Sequence, residues 1–337
     1  MNPRAADAPA LSLVVPVFNE REVLPELYRR ATAVLSQLGL TYELILVNDG
    51  STDGSWDVIR SLALADTRVK AIGLTRNFGH QPAITAGLHA ARGKTVVFMD
   101  ADLQDPPELI PALYAKHREG HDVVFAQRRA REGETLWKRA TASAFYRIMR
   151  RMTALEMPLD TGDFRLLSRR VADDLCRLRE YNPFIRGLVT WVGYSQTGVL
   201  YDREPRYKGR TKFSTARMIS FALDGITSFS SRPLRLAAHI GLFFAGASLL
   251  LMSGLIVYKV SGGTHLVPGW TSLIVSVLFL GGLNLTAIGL LGEYIGRVYD
   301  QVKGRPLYLV KDRLNEVTSG ASEPPEPAPR TDHVVTR

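Results

Sequence analysis

The residues most able to do chemistry are the carboxylates of Met99-Asp100-Ala101-Asp102-Leu103-Gln104-Asp105-Pro106, which follow an apolar run. Side chains two apart on a strand share a face, so Asp100 and Asp102 can address one site at the carboxyl end of a sheet. Their hard oxygens suit Mg²⁺ or Mn²⁺, and a hydrated divalent ion suits a diphosphate. Asp-x-Asp alone is a weak signal, and Asp105 before Pro106-Pro107 is equally a candidate helix cap. Asn19-Glu20 ends one apolar run, and Asn48-Asp49-Gly50-Ser51-Thr52-Asp53-Gly54-Ser55 ends another. Asp49 is placed to accept hydrogen bonds from a nucleobase or ribose, whereas Thr52 or Asp53 reads as a cap. The first strand is not followed by G-x-G-x-x-G, and a Walker lysine loop is absent. A dinucleotide enzyme and a P-loop NTPase are therefore disfavoured.

These positions need a scaffold, and the pattern supplies one. Apolar runs at 11–18, 43–47, 69–74, 95–99 and 122–126 alternate with helical periodicity at 22–38, 56–64, 82–91 and 107–119. Strand and helix at this spacing predict an α/β domain with a mostly parallel sheet covered on both faces. The nearly continuous apolar character of the strands fits double burial.

Beyond Arg128 the chain becomes basic. Residues 134–155 form a candidate interface helix with Trp137, Phe145 and Met149 among arginines, and 215–232 form a second amphipathic stretch. Two long apolar runs follow, 236–258 and 270–291, each about long enough to cross a hydrocarbon core of roughly 30 Å. Arg232 and Arg235 precede the first, Arg297, Lys303 and Arg305 follow the second, and only Lys259 flanks the connection between them. The positive-inside rule predicts a hairpin over 233–297 with both chain ends cytosolic. Residues 298–318 read as a cytosolic C-terminal segment and 319–337 as a disordered tail. The first ten residues lack the pattern of a signal peptide.

The chain has 337 residues and a formal charge of +9, with 46% hydrophobic and 22% charged residues. That excludes a mainly disordered or collagen-like chain, and the length predicts about two folding units. One cysteine, Cys176, cannot form an internal disulfide and reads as a small buried hydrophobe. Nucleic-acid binding is disfavoured because the basic residues cluster beside apolar segments.

Several motifs together resemble a known family. Asn19-Glu20, the Asp-Gly-Ser-Thr-Asp-Gly-Ser turn, Arg76-Asn77-Phe78-Gly79-His80, the Asp100–Pro107 block and Thr161-Gly162-Asp163-Phe164-Arg165 look like family 2 glycosyltransferases of GT-A fold. The order of catalytic domain, amphipathic helices and two-span hairpin resembles the polyprenyl-phosphate glycosyltransferases, over about Leu11 to Leu314. The resemblance implies a GT-A catalytic domain at 11–214 and a nucleotide site lined by Pro16, Asn19, Glu20 and Asp49. It implies Asp100 and Asp102 on the donor and metal, Gln104 nearby, and Asp163 as the nominal base. Arg128, Arg139 and Ser143 would meet the acceptor phosphate, while Arg206 and Lys212 lie in a basic loop over the donor diphosphate.

By the same resemblance the reaction is inverting transfer from a nucleotide sugar, with UDP-glucose favoured, to a polyprenyl phosphate in the bilayer of a bacterial inner membrane. GDP-mannose and an aminoarabinose-type donor rank next. The hairpin would anchor the chain and offer a surface for homo-oligomers. A processive polysaccharide synthase is disfavoured because Gln127-Arg128-Arg129-Ala130-Arg131 does not match Gln-x-x-Arg-Trp. A non-catalytic lipid-binding or translocating protein is the alternative of another class; two spans with only His239 and Asn284 as notable polar groups make a poor transport path.

Overall fold

The computed structural model describes residues 8–129, 161–178, 180, 183–202, scattered positions between 234 and 261, and 270–315. The strands are β1 (Leu11–Val17), β2 (Tyr42–Asn48), β3 (Val69–Leu74), β4 (Thr95–Phe98), β5 (Val123–Arg128), β6 (Thr161–Ser168), β7 (Gln196–Tyr201) and β8 (Val310–Leu314). The helices are α1 (Leu24–Gln37), α2 (Ser55–Ala65), α3 (His80–Ala90), α4 (Ile110–Arg118), α5 (Arg169–Arg177), α6 (Ile185–Trp191) and α7 (Trp270–Val302). The strands make one sheet in the order β7-β5-β6-β4-β1-β2-β3-β8.

Six strands run the same way, and β6 and β8 run against them. β1 is buried along its whole length, as its unbroken apolar run requires. One core lies between the sheet and α1, α2 and α4, and includes Leu27, Leu35, Ile59 and Leu113. The other lies on the opposite face under α3, α5 and α6, with Ile84, Val171 and Leu188. Gly87 of α3 sits so close to β1 that a Cβ would come 2.2 Å from Val14 Cγ1.

β1 connects to β2 and β3 on one side, while β4 lies on its other side. The direction of winding therefore reverses between β1 and β4, where open α/β sheets hold their ligands. The ladder between these strands stops at Val14 and Phe98, where β4 itself ends. The Met99 amide donates to the Val14 carbonyl, so Pro16, two residues on, turns its nitrogen toward the same side. β4 has already ended there, and the missing N–H of Pro16 costs no ladder bond.

Two strands depart from the sequence reading. β6 passes antiparallel between β4 and β5, and the alternating pattern did not reveal it. β8, from the segment read as a separate C-terminal piece, completes the same sheet against β3. The Asn315 side chain, at φ 58°, then donates to the carbonyls of Ala63 and Val69, the latter at 2.9 Å. Among the described residues, one helix is long and apolar enough to cross a membrane, over Phe279–Val302 within α7. The predicted helices at 134–155 and 215–232 lie outside the described residues. Most of the first predicted span does too, but Phe244, which is helical, packs its ring 5.4 Å from Phe279 in a T-shaped contact.

Candidate active site

The carboxyl ends of β1, β2, β3, β4 and β5 and the starting end of β6 open on one edge of the sheet. There the structure gathers Asn19, Glu20, Asp49, Asp100, Asp102, Gln104, Arg128 and Asp163, with Pro16 one strand position behind. Arg139, Ser143, Arg206 and Lys212 lie outside the described residues.

The turn after β1 is locked to the turn after β2. Asn19, at φ 54°, accepts the Thr52 amide at 2.8 Å and gives its own amide to Ser51 Oγ at 3.0 Å. Asp53 accepts the amides of Arg21 and Ser55 and so ties the two turns together, while the N-cap of α2 is Gly54 and not Asp53 as its sequence suggested. Gly50 brings this turn against the loop after β3: a Cβ there would stand 2.4 Å from the Arg76 carbonyl carbon, and its φ is +65°. Asp49 clamps the same loop by accepting the amides of Phe78 at 2.7 Å and Gly79 at 3.0 Å. Burial pushes the Asp49 carboxyl up, against the lowering effect of those two amides. Its oxygens serve the loop before they serve any ligand.

Asp100 and Asp102 do not lie on a strand, because β4 ends at Phe98. They share the site through a turn instead. Asp102 Oδ1 accepts the Gln104 amide at 3.1 Å, and Leu103 takes φ 56°. Asp100 is pushed up to about 6, first by burial and then by the neighbouring carboxylates Asp163, Asp105 and Asp102, with His80 pulling the other way.

The clamped loop delivers His80, the first residue of α3, into this cluster. Its Nε2 lies 3.2 Å from Asp163 Oδ2 and 3.4 Å from Asp100 Oδ1. Burial opposes its charge, but Asp100 and the hydrogen bond to Asp163 raise its pKa to about 9. Asp163 also takes Arg186 Nη2 on Oδ1 at 3.2 Å and Gln81 Nε2 on Oδ2 at 3.4 Å. Burial alone would raise Asp163, yet His80, Arg186 and Arg165 hold it well below the usual carboxylate range. Arg165 is 3% exposed and gives Nη2 to the Gly162 carbonyl at 2.8 Å.

Arg128 ends β5 beside the same strand. Its Nε donates to Tyr201 at 3.2 Å, and its Nη2 lies 3.9 Å from the fully buried Asp105. Tyr201 in turn donates to Asp105, whose sequence reading was only a helix cap. Sequence reasoning also passed over His80, Gln81 and Arg186 as site residues. His80 stood at the end of a quoted motif, whereas Arg186 has no local signal because α6 brings it in from more than twenty positions after Asp163.

Among the described residues no group of three His, Cys, Asp or Glu side chains could hold a metal ion by itself. Asp100 and Asp102 nonetheless fit a divalent cation that completes its shell with water and phosphate oxygens. The Asp100 side chain is 32% exposed and so open to an incoming ion, while burial, its largest influence, raises the carboxyl to about 6 against the charge of His80.

The family model for glycosyl transferase family 2 matches residues 12–176. The glycosyltransferase YkcC of Bacillus subtilis is 49% identical over 89% of this chain and 93% of its own length. The bactoprenol glucosyl transferase of Shigella phage SfII is 43% identical over 89% of this chain and 97% of its own. Its prophage homologue in Escherichia coli is 41% identical over 89% and 98%. Identity at this level extends across both the sheet and the apolar region, and the chain belongs to glycosyl transferase family 2.

Proposed function

We propose that the chain transfers glucose from a nucleotide sugar to a polyprenyl phosphate. The observation that carries this is similarity to bactoprenol glucosyl transferases over nearly their whole length, apolar segments included. The site has the parts such a transfer needs. A crevice between β1 and β4 suits a nucleotide, with Pro16, Asn19, Glu20, Asp49 and Gln104 around it. The carboxylates of Asp100 and Asp102 would hold Mg²⁺ or Mn²⁺, which when bound neutralises the leaving diphosphate.

The acceptor phosphate is already largely ionised near pH 7, with a second pKa of about 6 if it behaves as other phosphate monoesters do. It needs orientation and charge neutralisation more than deprotonation. Arg128 supplies a guanidinium held by Tyr201 and Asp105. Asp163, ionised and gripped by His80 and Arg186, fixes the cationic side chains around the acceptor. Direct attack by the phosphate oxygen on the anomeric carbon inverts its configuration.

The chain is further read as an inner-membrane protein with two spans. Support comes from the length and composition of α7, the helical positions before it and the Phe244–Phe279 contact. The catalytic sheet and both ends are then cytosolic, and the hairpin is a surface for self-association. Incubation of the purified chain with polyprenyl phosphate, Mn²⁺ and a panel of UDP-glucose, GDP-mannose and an aminoarabinose donor tests the reading. Glucosyl lipid should form from UDP-glucose. Donor turnover that needs no lipid phosphate would overturn it.

A further inference from the structure

Gln81 joins α6 to the site. Its Oε1 accepts the Ile185 amide, the first of α6, at 3.0 Å, and its Nε2 donates to Asp163. This anchors the next residue, Arg186, with Nη2 3.2 Å from Asp163 Oδ1. The side chain remains 24% exposed, while its Nε is buried and has no hydrogen-bond partner among the described residues. On the other side of the same strand end, Arg128 Nη2 would stand 3.0 Å from a Cβ at Gly162. Two guanidinium groups, one from β5 and one from α6, thus flank Gly162-Asp163.

A planar guanidinium binds best through two parallel N–H groups. Arg186 meets Asp163 through one, and a buried donor without a partner is costly. Arg165 cannot take the role because it is enclosed and tied to the Gly162 carbonyl. We propose that Arg186 is a phosphate-binding residue of the active site, whose fork closes on a substrate phosphate entering beside Asp163. Asp163 holds the guanidinium in place until then and orients it afterwards. The inference rests on the proposed transfer. It makes the acceptor's phosphate the expected ligand, and the donor's diphosphate offers the same chemistry from another source.

The test compares full-length wild type, Arg186→Gln and Arg186→Lys in lipid nanodiscs, with three readouts. These are the rise in Tm caused by inorganic phosphate, the KM for polyprenyl phosphate and the Kd for UDP-glucose with Mn²⁺. Arg186→Gln should lose most of the phosphate-induced rise and raise the acceptor KM about tenfold or more, the loss expected for a charged hydrogen bond. Arg186→Lys keeps the charge without the fork and should fall between. Donor Kd should stay within about twofold of wild type. Weakened donor binding with an unchanged acceptor KM would overturn the acceptor assignment and put the fork on the diphosphate. Unchanged values in all three readouts would overturn the proposal. If Arg186→Gln does not fold, Arg186→Lys decides by the same measurements. If wild type transfers nothing to lipid phosphate yet Arg186→Gln still loses phosphate stabilisation, the functional reading fails and the phosphate site stands.

Discussion

One imidazole nitrogen, His80 Nε2, lies between Asp163 and Asp100, 3.2 Å from the first and 3.4 Å from the second. The carboxylate nominated as base and the carboxylate nominated for the metal therefore share one positive charge. With Arg186 on its other oxygen, Asp163 is stabilised as an anion and has little tendency to take a proton.

Asp163→Asn should lower turnover by about 10²-fold or more, because the amide cannot hold both cationic partners. The loss should persist above the phosphate pKa, near 6, since the acceptor is by then deprotonated. A pH-rate profile of both proteins checks this. Recovery of the variant toward the wild-type rate at high pH would instead mark Asp163 as a proton acceptor.

Asp102→Asn should abolish turnover while leaving the fold intact. The amide oxygen can still accept the Gln104 amide, so the turn persists and only the negative charge is lost. Donor binding should lose its dependence on Mn²⁺, measured by titration with and without the ion. Full wild-type activity in excess chelator would remove the metal from Asp100 and Asp102.

A chain ending near residue 230 would lose β8 and Asn315, and with them the cover on the β3 edge. Such a truncation should aggregate, as uncovered edge strands do. Replacing 234–303 by a short linker while keeping 304–318 should preserve UDP-glucose binding and lose efficient use of the long-chain acceptor. In the full chain, Asn315→Ala should cost about 1–3 kcal/mol, the range for buried carbonyls left unpaired. Chemical denaturation of the two proteins measures it.

His89 Nδ1 meets the Tyr308 hydroxyl at 2.8 Å and so fastens the approach to β8 onto α3. Burial pulls the His89 pKa below its ordinary 6.5, against a backbone hydrogen bond to Cys176. The folded state therefore binds this proton less readily than the unfolded one. Its stabilising contribution is complete above 6.5 and is lost as pH falls through the lower folded value. Exchange protection of the β8 amides, corrected for intrinsic rates, should drop as pH falls below 6.5, and less so in His89→Gln.

The sequence by itself determined the alternation of β1 through β5 with their helices, because doubly buried parallel strands must be apolar and helices must carry a stripe. It also determined that Asn19, Asp49, Asp100 and Asp102 follow strands, and hence that they meet at one edge. Tertiary structure decided the remainder. β6 and β8 were not legible because each is placed by its pairing partners across long separations in sequence, and β8 arrives only after the apolar helix α7. Asp49 looked like a ligand and is first a clamp, since only the folded chain brings Phe78 and Gly79 onto its oxygens. Local sequence carries no mark of a charge partner, so the grip of His80, Gln81 and Arg186 on Asp163 exists only where α3, α6 and β6 converge.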